Sequence, residues 1–174
     1  MSLRHATHTT PRFAPTPLSL SLHLAFAALA AAAIMGPARA NPLGGNVVAG
    51  QATIVQPSSA LTQIDQSSNR AVIDWRSFSI GTGEAVRFNQ PSASAATLNR
   101  VVGNEPSSIL GSLSANGRVY LVNQNGVFIG PEAQVDAAAL VLSTANISNS
   151  DFMADRLNFN QPGKPGARII NEGR

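Results

Sequence analysis

Beyond residue 40, the apolar residues of this chain come in runs of strand length and not of helix length. The runs NVVAG, ATIVQ, AVIDW, FSIG, AVRFN, ATLNRVVG, SILGSL, RVYLVN, GVFIG, AQVDA and LVLST are separated by Gly, Asn, Ser and Pro. Few windows sustain apolar residues at i, i+3, i+4 and i+7, the repeat an amphipathic helix needs, so the segment reads as all-β. The exceptions are SALTQI near residue 60 and DAAAL at 136–140, each compatible with a helical turn.

Spacing narrows the architecture. Strand starts at Val119, Val127, Val135 and Leu140 fall about eight residues apart or fewer, which gives three strands and three turns in roughly 22 residues, the size of one coil of a parallel β-helix. In such a coil every strand pairs with its equivalent one turn away, inward Val, Ile and Leu stack on their counterparts, and Asn stacks at corners. Repeated charges would repel there, and the chain is poor in charge. An antiparallel sandwich competes, with Asn125-Gly126 and Asn116-Gly117 as type I′ hairpin turns. Spacing alone does not choose between the two.

The N-terminal region has a different character. Arg4 and Arg12 precede the apolar run LSLSLHLAFAALAAAAIM, which ends in Gly36, Pro37 and the small residues Ala38 and Ala40. This pattern predicts a secretory signal over residues 1–40, cut before Asn41, and the competing reading is a membrane anchor. The mature segment, 41–174, is long enough for one domain with a real core. Arg4, Arg12 and Arg39 all precede it, leaving 9 of the 12 basic residues against 9 acidic ones. A neutral segment lacks the counterion-releasing surface that binds nucleic acid, so no nucleic-acid partner is expected. The chain has no cysteine, so oxidation in the periplasm cannot lock it shut.

Composition also limits chemistry. His5, His8 and His23 all lie in the signal, so the mature segment has neither histidine nor cysteine. Ser-His-Asp and Cys-His triads and the usual zinc sites therefore have no ligands there, and no catalytic residue, metal or cofactor is expected. The pairs Glu132 with Asp136 and Asp151 with Asp155 read as solvated surface, as do Arg70, Arg76 and Arg100. Asp65, Asp74, Glu84 and Glu105 are scattered among turns, and GTGE at 81–84 lacks the third glycine of a dinucleotide loop. Trp75, Phe78 and Phe88 are expected to pack under a cap or inside the coil. The sequon NIS at 146–148 leaves glycosylation of Asn146 open.

Several elements occur in a specific order: Ile-Asp-Trp at 73–75, FNQP at 88–91 with Asn89 and Pro91, LNRVVG at 98–103 with Asn99, SANG at 114–117 with Asn116 and Gly117, and NQNGVFIG at 123–130. In this order they resemble the haemagglutination-activity, or two-partner secretion, domain at the N-terminus of filamentous-haemagglutinin-like (TpsA-type) exoproteins of Gram-negative bacteria. The resemblance covers roughly residues 41–160. It implies a right-handed parallel β-helix with an N-terminal cap and small extra-helical strands. Asn123, Gln124, Asn125 and Gly126 resemble the family's Asn-Pro-Asn-Gly motif, a corner between coil strands and the candidate for transporter recognition. Gln124 stands where proline is usual, which should loosen the turn slightly. A second motif, Asn-Pro-Asn-Leu, has no literal match.

The resemblance further implies a targeting function. Such a domain passes through the Sec machinery and addresses a large exoprotein, an adhesin, to an outer-membrane TpsB-type β-barrel transporter with periplasmic POTRA domains. It then nucleates β-helix folding at the cell surface, where the product is secreted or displayed. A host-cell receptor or glycan would be met by a C-terminal region beyond this chain, for ARIINEGR at 167–174 starts a new strand and the C-terminal coils look truncated. The alternatives are a β-helix polysaccharide-active enzyme and the carrier of a contact-dependent toxin.

Overall fold

A computed structural model describes residues 40–173. The expected signal segment, Ala38 included, lies outside the described residues, while Ala40 and Asn41 lie within them. The elements are β1 (Asn46–Ala49), β2 (Ala52–Ser58), β3 (Leu61–Gln66), β4 (Arg70–Trp75), β5 (Ala85–Asn89), β6 (Ala96–Val101), β7 (Ser107–Ile109), β8 (Ser112–Asn123), β9 (Val127–Ile129), β10 (Gln134–Ser143), a short helix α1 (Asn149–Met153) and β11 (Ile169–Asn171).

Register resolves the choice that spacing left open. On one face, Leu61 of β3 lies beside Ala85 of β5, which lies beside Ser112 of β8, which lies beside Gln134 of β10, all parallel. These steps of 24, 27 and 22 residues are single coils. On a second face, β4 pairs β6, β6 pairs the later half of β8, and that half pairs β10, again parallel. The third face is β7, β9 and β11, joined by a bridge from Ile80 to Ile109. β8 and β10 each run around the corner between the first two faces, β10 with a shift of register between Ala137 and Ala139. The result is a right-handed parallel β-solenoid of about four turns. Asn125-Gly126 closes no hairpin, because the strands it joins belong to different faces.

β1 and β2 close the start of the solenoid. They pair antiparallel with β4 and β3 respectively, which covers edges that would otherwise expose unpaired N–H and C=O groups. Ahead of them, Gly45 passes so close that a Cβ there would fall 2.5 Å from the Trp75 ring.

Two apolar clusters explain the run pattern. Inside the coil, Ile64, Ile73, Trp75, Phe78, Val86, Phe88, Leu113, Val119, Leu121 and Ile129 form one core, and Trp75 meets Phe78 edge to face at 5.5 Å. Trp75, Phe78 and Phe88 are thus buried, as expected. The second cluster, Val72, Leu98, Tyr120 and Val122 with Ile147 and Phe152, lies on the outer side of the second face. The segment between β10 and β11 supplies Ile147 and Phe152, forming a strap across that face. Strands covered on both sides read as nearly continuous apolar runs, as AVIDW and RVYLVN do. β3, covered on one side, alternates strictly between half-buried and buried.

The structure corrects both candidate helical turns. Leu61–Ile64 of SALTQI lies in β3 and all of DAAAL lies in β10; neither is helical. In a solenoid, a coil's inward positions and ladder partners override weak local helix preference. The helix is instead at Asn149–Met153, where Ser148 caps it by accepting the Asp151 N–H at 3.1 Å and Asp155 leaves it with a left-handed φ of 59°.

Arg70 and Arg100 are not solvated, with side chains only 12% and 14% exposed. Arg70 pairs with Asp155, lies over the Phe152 ring and donates to the Phe152 carbonyl. Arg100 holds Asp74 at 2.7 Å and donates to the Ile147 carbonyl at 3.3 Å. Both arginines fasten the strap, because a guanidinium offers enough donors to serve a carboxylate and a carbonyl at once. Arg76 is exposed, as expected, and so are Glu132 and Asp136. Asp151 and Asp155 also lie at the surface, each engaged by an arginine, Arg156 and Arg70 respectively.

Candidate functional site

The corner Asn123–Gly126 turns the chain from the second face to the third. The Gly126 N–H reaches the Asn123 carbonyl at 3.0 Å, closing a four-residue turn. Gly126 has φ of 117°, and a Cβ there would fall 2.9 Å from the Arg168 carbonyl oxygen, so both conformation and space call for glycine. Asn123 is fully buried. Its Nδ2 donates to the Glu105 carbonyl and to Ser107 Oγ, both at 3.0 Å, while its Oδ1 accepts from the Asn125 N–H at 2.9 Å. Asn125 Nδ2 reaches the Gly103 carbonyl at 3.0 Å.

These amides point to the preceding coil. Gln124 points to the following one: its carbonyl accepts the Lys164 N–H at 2.8 Å, and its Nε2 donates to the Pro162 carbonyl at 2.7 Å. The corner therefore staples three successive levels of chain. Beside it opens a polar cleft of about 450 Å³ whose walls include Asp74, Arg100, Gln124, Asn125, Asn146 and Lys164.

The other candidate residues fall into two groups. Asn89, Pro91, Asn116 and Gly117 gather at the corner between the first and second faces. Asn116 clasps the backbone of Gln90, accepting its N–H at 2.7 Å and donating to its carbonyl at 2.6 Å. A Cβ on Gly117 would fall 2.6 Å from Gln90 Oε1. The hub of this corner is thus Gln90, whose Nε2 reaches Thr97 Oγ1 and the carbonyls of Ala95 and Arg118. Gln66 repeats the arrangement one coil earlier, accepting from Thr97 Oγ1 and donating to the Ala96 carbonyl. Sequence reasoning missed both glutamines; for Gln90 the signal was the FNQP motif, where it lies between the two residues singled out, and Gln66 carried none.

Asn89 faces outward and donates to Asp65 at 2.6 Å. That bond, with a second from Gln63, holds the Asp65 carboxyl below its ordinary pKa. Pro91 is exposed in the loop that follows. Trp75 and Asn99 form the second group, inside the coil: the indole N–H donates to Asn99 Oδ1 at 3.0 Å, and Asn99 Nδ2 donates to the Tyr120 carbonyl at 3.4 Å.

No three or more His, Cys, Asp or Glu side chains come together as a metal-binding group among the described residues. What the geometry provides is two corners of a solenoid, each fastened to neighbouring coils by amide side chains. Such groups fix register and present backbone edges rather than moving protons.

Comparisons with known proteins agree with this architecture. A heme/hemopexin-binding protein of Haemophilus influenzae is 38% identical over 137 residues, covering 79% of this chain and 14% of that protein. A second protein of that name from the same species is 37% identical over 126 residues, 72% of this chain and again 14% of the relative. This chain therefore spans about one seventh of the length of these relatives. The crystal structure of the HMW1 secretion domain from Haemophilus influenzae superimposes with a TM-score of 0.70 at 37% identity, covering 76% of this chain and 36% of that one. The profile of the TPS secretion domain matches residues 38–173. A match of that extent leaves almost none of the solenoid outside it, and the chain belongs to the TPS secretion domain family.

Proposed function

We propose that this domain addresses a longer TpsA-type exoprotein to its cognate outer-membrane TpsB transporter, whose POTRA domains read it, and that it carries out recognition rather than turnover. The observation that supports this reading best is the family profile running from residue 38 to residue 173. The chain enters the Sec route on the signal at 1–40 and is cut between Ala40 and Asn41, with Ala38 and Ala40 in the peptidase pocket. In the periplasm the unfolded segment docks by adding one of its strands to a sheet edge of the partner, and Asn123–Gly126 is read in that form. Outside the cell, corner amides set the register of the first coils, and β10 and β11 offer ladders on which further coils pair.

The relatives' name speaks of heme and hemopexin. We assign any such binding to regions beyond this domain, since its described residues carry no histidine or cysteine to ligate iron. Adhesion to host cells is assigned to the same regions.

The test is a fusion of residues 1–174 to a passenger protein, produced with and without the cognate transporter. Passenger in the medium only when the transporter is present is the expected result. Release that ignores the transporter would refute the targeting role.

A further inference from the structure

The GTGE turn at 81–84, which fits no nucleotide loop, has another use in the fold. The Glu84 N–H closes it on the Gly81 carbonyl at 2.9 Å, and Gly83 takes φ of 77° at the third position, as a type II turn requires. The Glu84 side chain then folds back. Its Oε2 accepts the Gly81 N–H at 2.8 Å and the Ala40 N–H at 3.2 Å, and its Oε1 lies 3.3 Å from the same Ala40 nitrogen. Glycine at 81 makes the room, for a Cβ there would fall 2.9 Å from Glu84 Oε2. The turn is backed by Gly111, where a Cβ would fall 2.3 Å from the carbonyl oxygens of both Gly81 and Glu84. The carboxylate is thus built into a fixed frame.

The segment it holds is tethered just beyond Ala40. Asn41 is buried and donates through Nδ2 to the Ser59 carbonyl at 2.7 Å, and the Leu43 N–H meets the Ser77 carbonyl at 2.9 Å. Two demands stay unmet. Among the described residues Glu84 joins no ion pair, and Asn41 Oδ1 is buried with no donor.

We infer that this frame is the seat of the mature N-terminus: Glu84 receives the α-ammonium of Asn41 once the Ala40–Asn41 bond is cut. The inference rests on the processing step proposed above. In that step a leader-removing peptidase adds water across the amide; Ala40 departs with the new carboxylate, and Asn41 keeps the amine, protonated at neutral pH. One neutral N–H is replaced by three donors and a positive charge, enough for Glu84 and for the stranded Oδ1 together. The amine lies one residue further along, about 3.8 Å between Cα atoms, a distance the freed end can close. Glu132, the other acid lining the neighbouring cleft, adds to the negative potential. The processed domain is accordingly more stable than one whose end is blocked.

The test uses the product exported and processed from residues 1–174 carrying Lys164→Arg. Lys164 is the sole lysine, so the α-amine becomes the only amine that an acetylating reagent meets. Mass spectrometry first reads the N-terminus; a product beginning elsewhere than Asn41 overturns the processing step and this inference with it. With Asn41 confirmed, acetylation is expected to lower Tm by about 2–4 °C, and by less than about 1 °C when Glu84→Gln is also present. Equal losses in both backgrounds, or none in either, overturn the inference while leaving the processing step intact. Should Glu84→Gln fail to fold, acetylation rates of the Glu84 protein serve instead. The α-amine is expected to react several-fold more slowly in the folded state than in urea, and equal rates overturn the inference.

Discussion

Gln124 enters its turn through its carbonyl and its side chain, with Lys164 N–H and the Pro162 carbonyl as partners; its own N–H takes no part in closing it. Proline in its place therefore removes one side-chain bond, while its fixed φ suits the second position of the turn and Asn123 before it is already extended. The two effects are each about 1 kcal/mol and opposite in sign, so Gln124→Pro is expected to move the urea midpoint little. Gly126→Ala faces both a φ of 117° and the Arg168 carbonyl and is expected to cost about 2–3 kcal/mol. Comparing the two midpoints checks both claims. A second residue-scale expectation concerns acid. Asp65 has its pKa lowered by bonds from Asn89 and then Gln63, so its stabilisation is complete above the unfolded carboxylate pKa of about 3.9 and is lost as pH falls through the lower folded value. Asp65→Asn should flatten the fall in denaturation midpoint between about pH 4.5 and 2.5. The flattening should be partial, because Asp151, lowered first by Arg156 and then by Ser148, titrates in the same direction. Both groups face solvent, so the effect is small.

At the scale of elements, the strap behaves as a separable unit. Phe152 is fully buried, meets Tyr120 edge to face at 5.2 Å and lies under Arg70, yet the strands it covers are paired to one another without it. Truncating a buried Phe typically costs about 3–5 kcal/mol. Here that loss is expected to fall on local undocking. Phe152→Ala should raise hydrogen exchange across 146–161 while leaving β4, β6 and β8 protected, and global loss of protection would show that the strap holds the solenoid together. Most strands were legible as apolar runs between Gly, Asn, Ser or Pro; β3, LTQIDQ, was not, because of its buried residues Thr62, Ile64 and Gln66 only Ile64 is apolar. The strap was not, since Ile147 and Phe152 lie isolated in polar sequence and the face that receives them is assembled from residues 72, 98, 120 and 122. Arg70 and Arg100 were misread for the same reason: their partners are 85 and 47 residues away along the chain. The helix left one local trace, Ser148 three residues ahead of Asp151, a cap pattern too short to stand out.

For the whole molecule, register is the property that sequence pattern could not supply. Coil repeats of 24, 27 and 22 residues share almost no sequence, so periodicity left solenoid and sandwich level; only the ordered motifs, through resemblance, favoured the coil. The same stacking gives the export reading its sharpest test. Arg87 of β5 and Ser114 of β8 are Cα partners on the outward side of the first face, and neighbouring strands lie about 4.8 Å apart, within reach of a disulfide. A bond between them ties one coil to the next in a protein that has no cysteine of its own. If the segment crosses the outer membrane unfolded, the double variant Arg87→Cys/Ser114→Cys should accumulate in an oxidising periplasm. It should reach the medium again when a permeant reductant is added, while each single variant is released as the parent is. Release of the double variant with its disulfide shown intact would mean that the coils cross already stacked, and strand addition to the transporter would lose its physical basis.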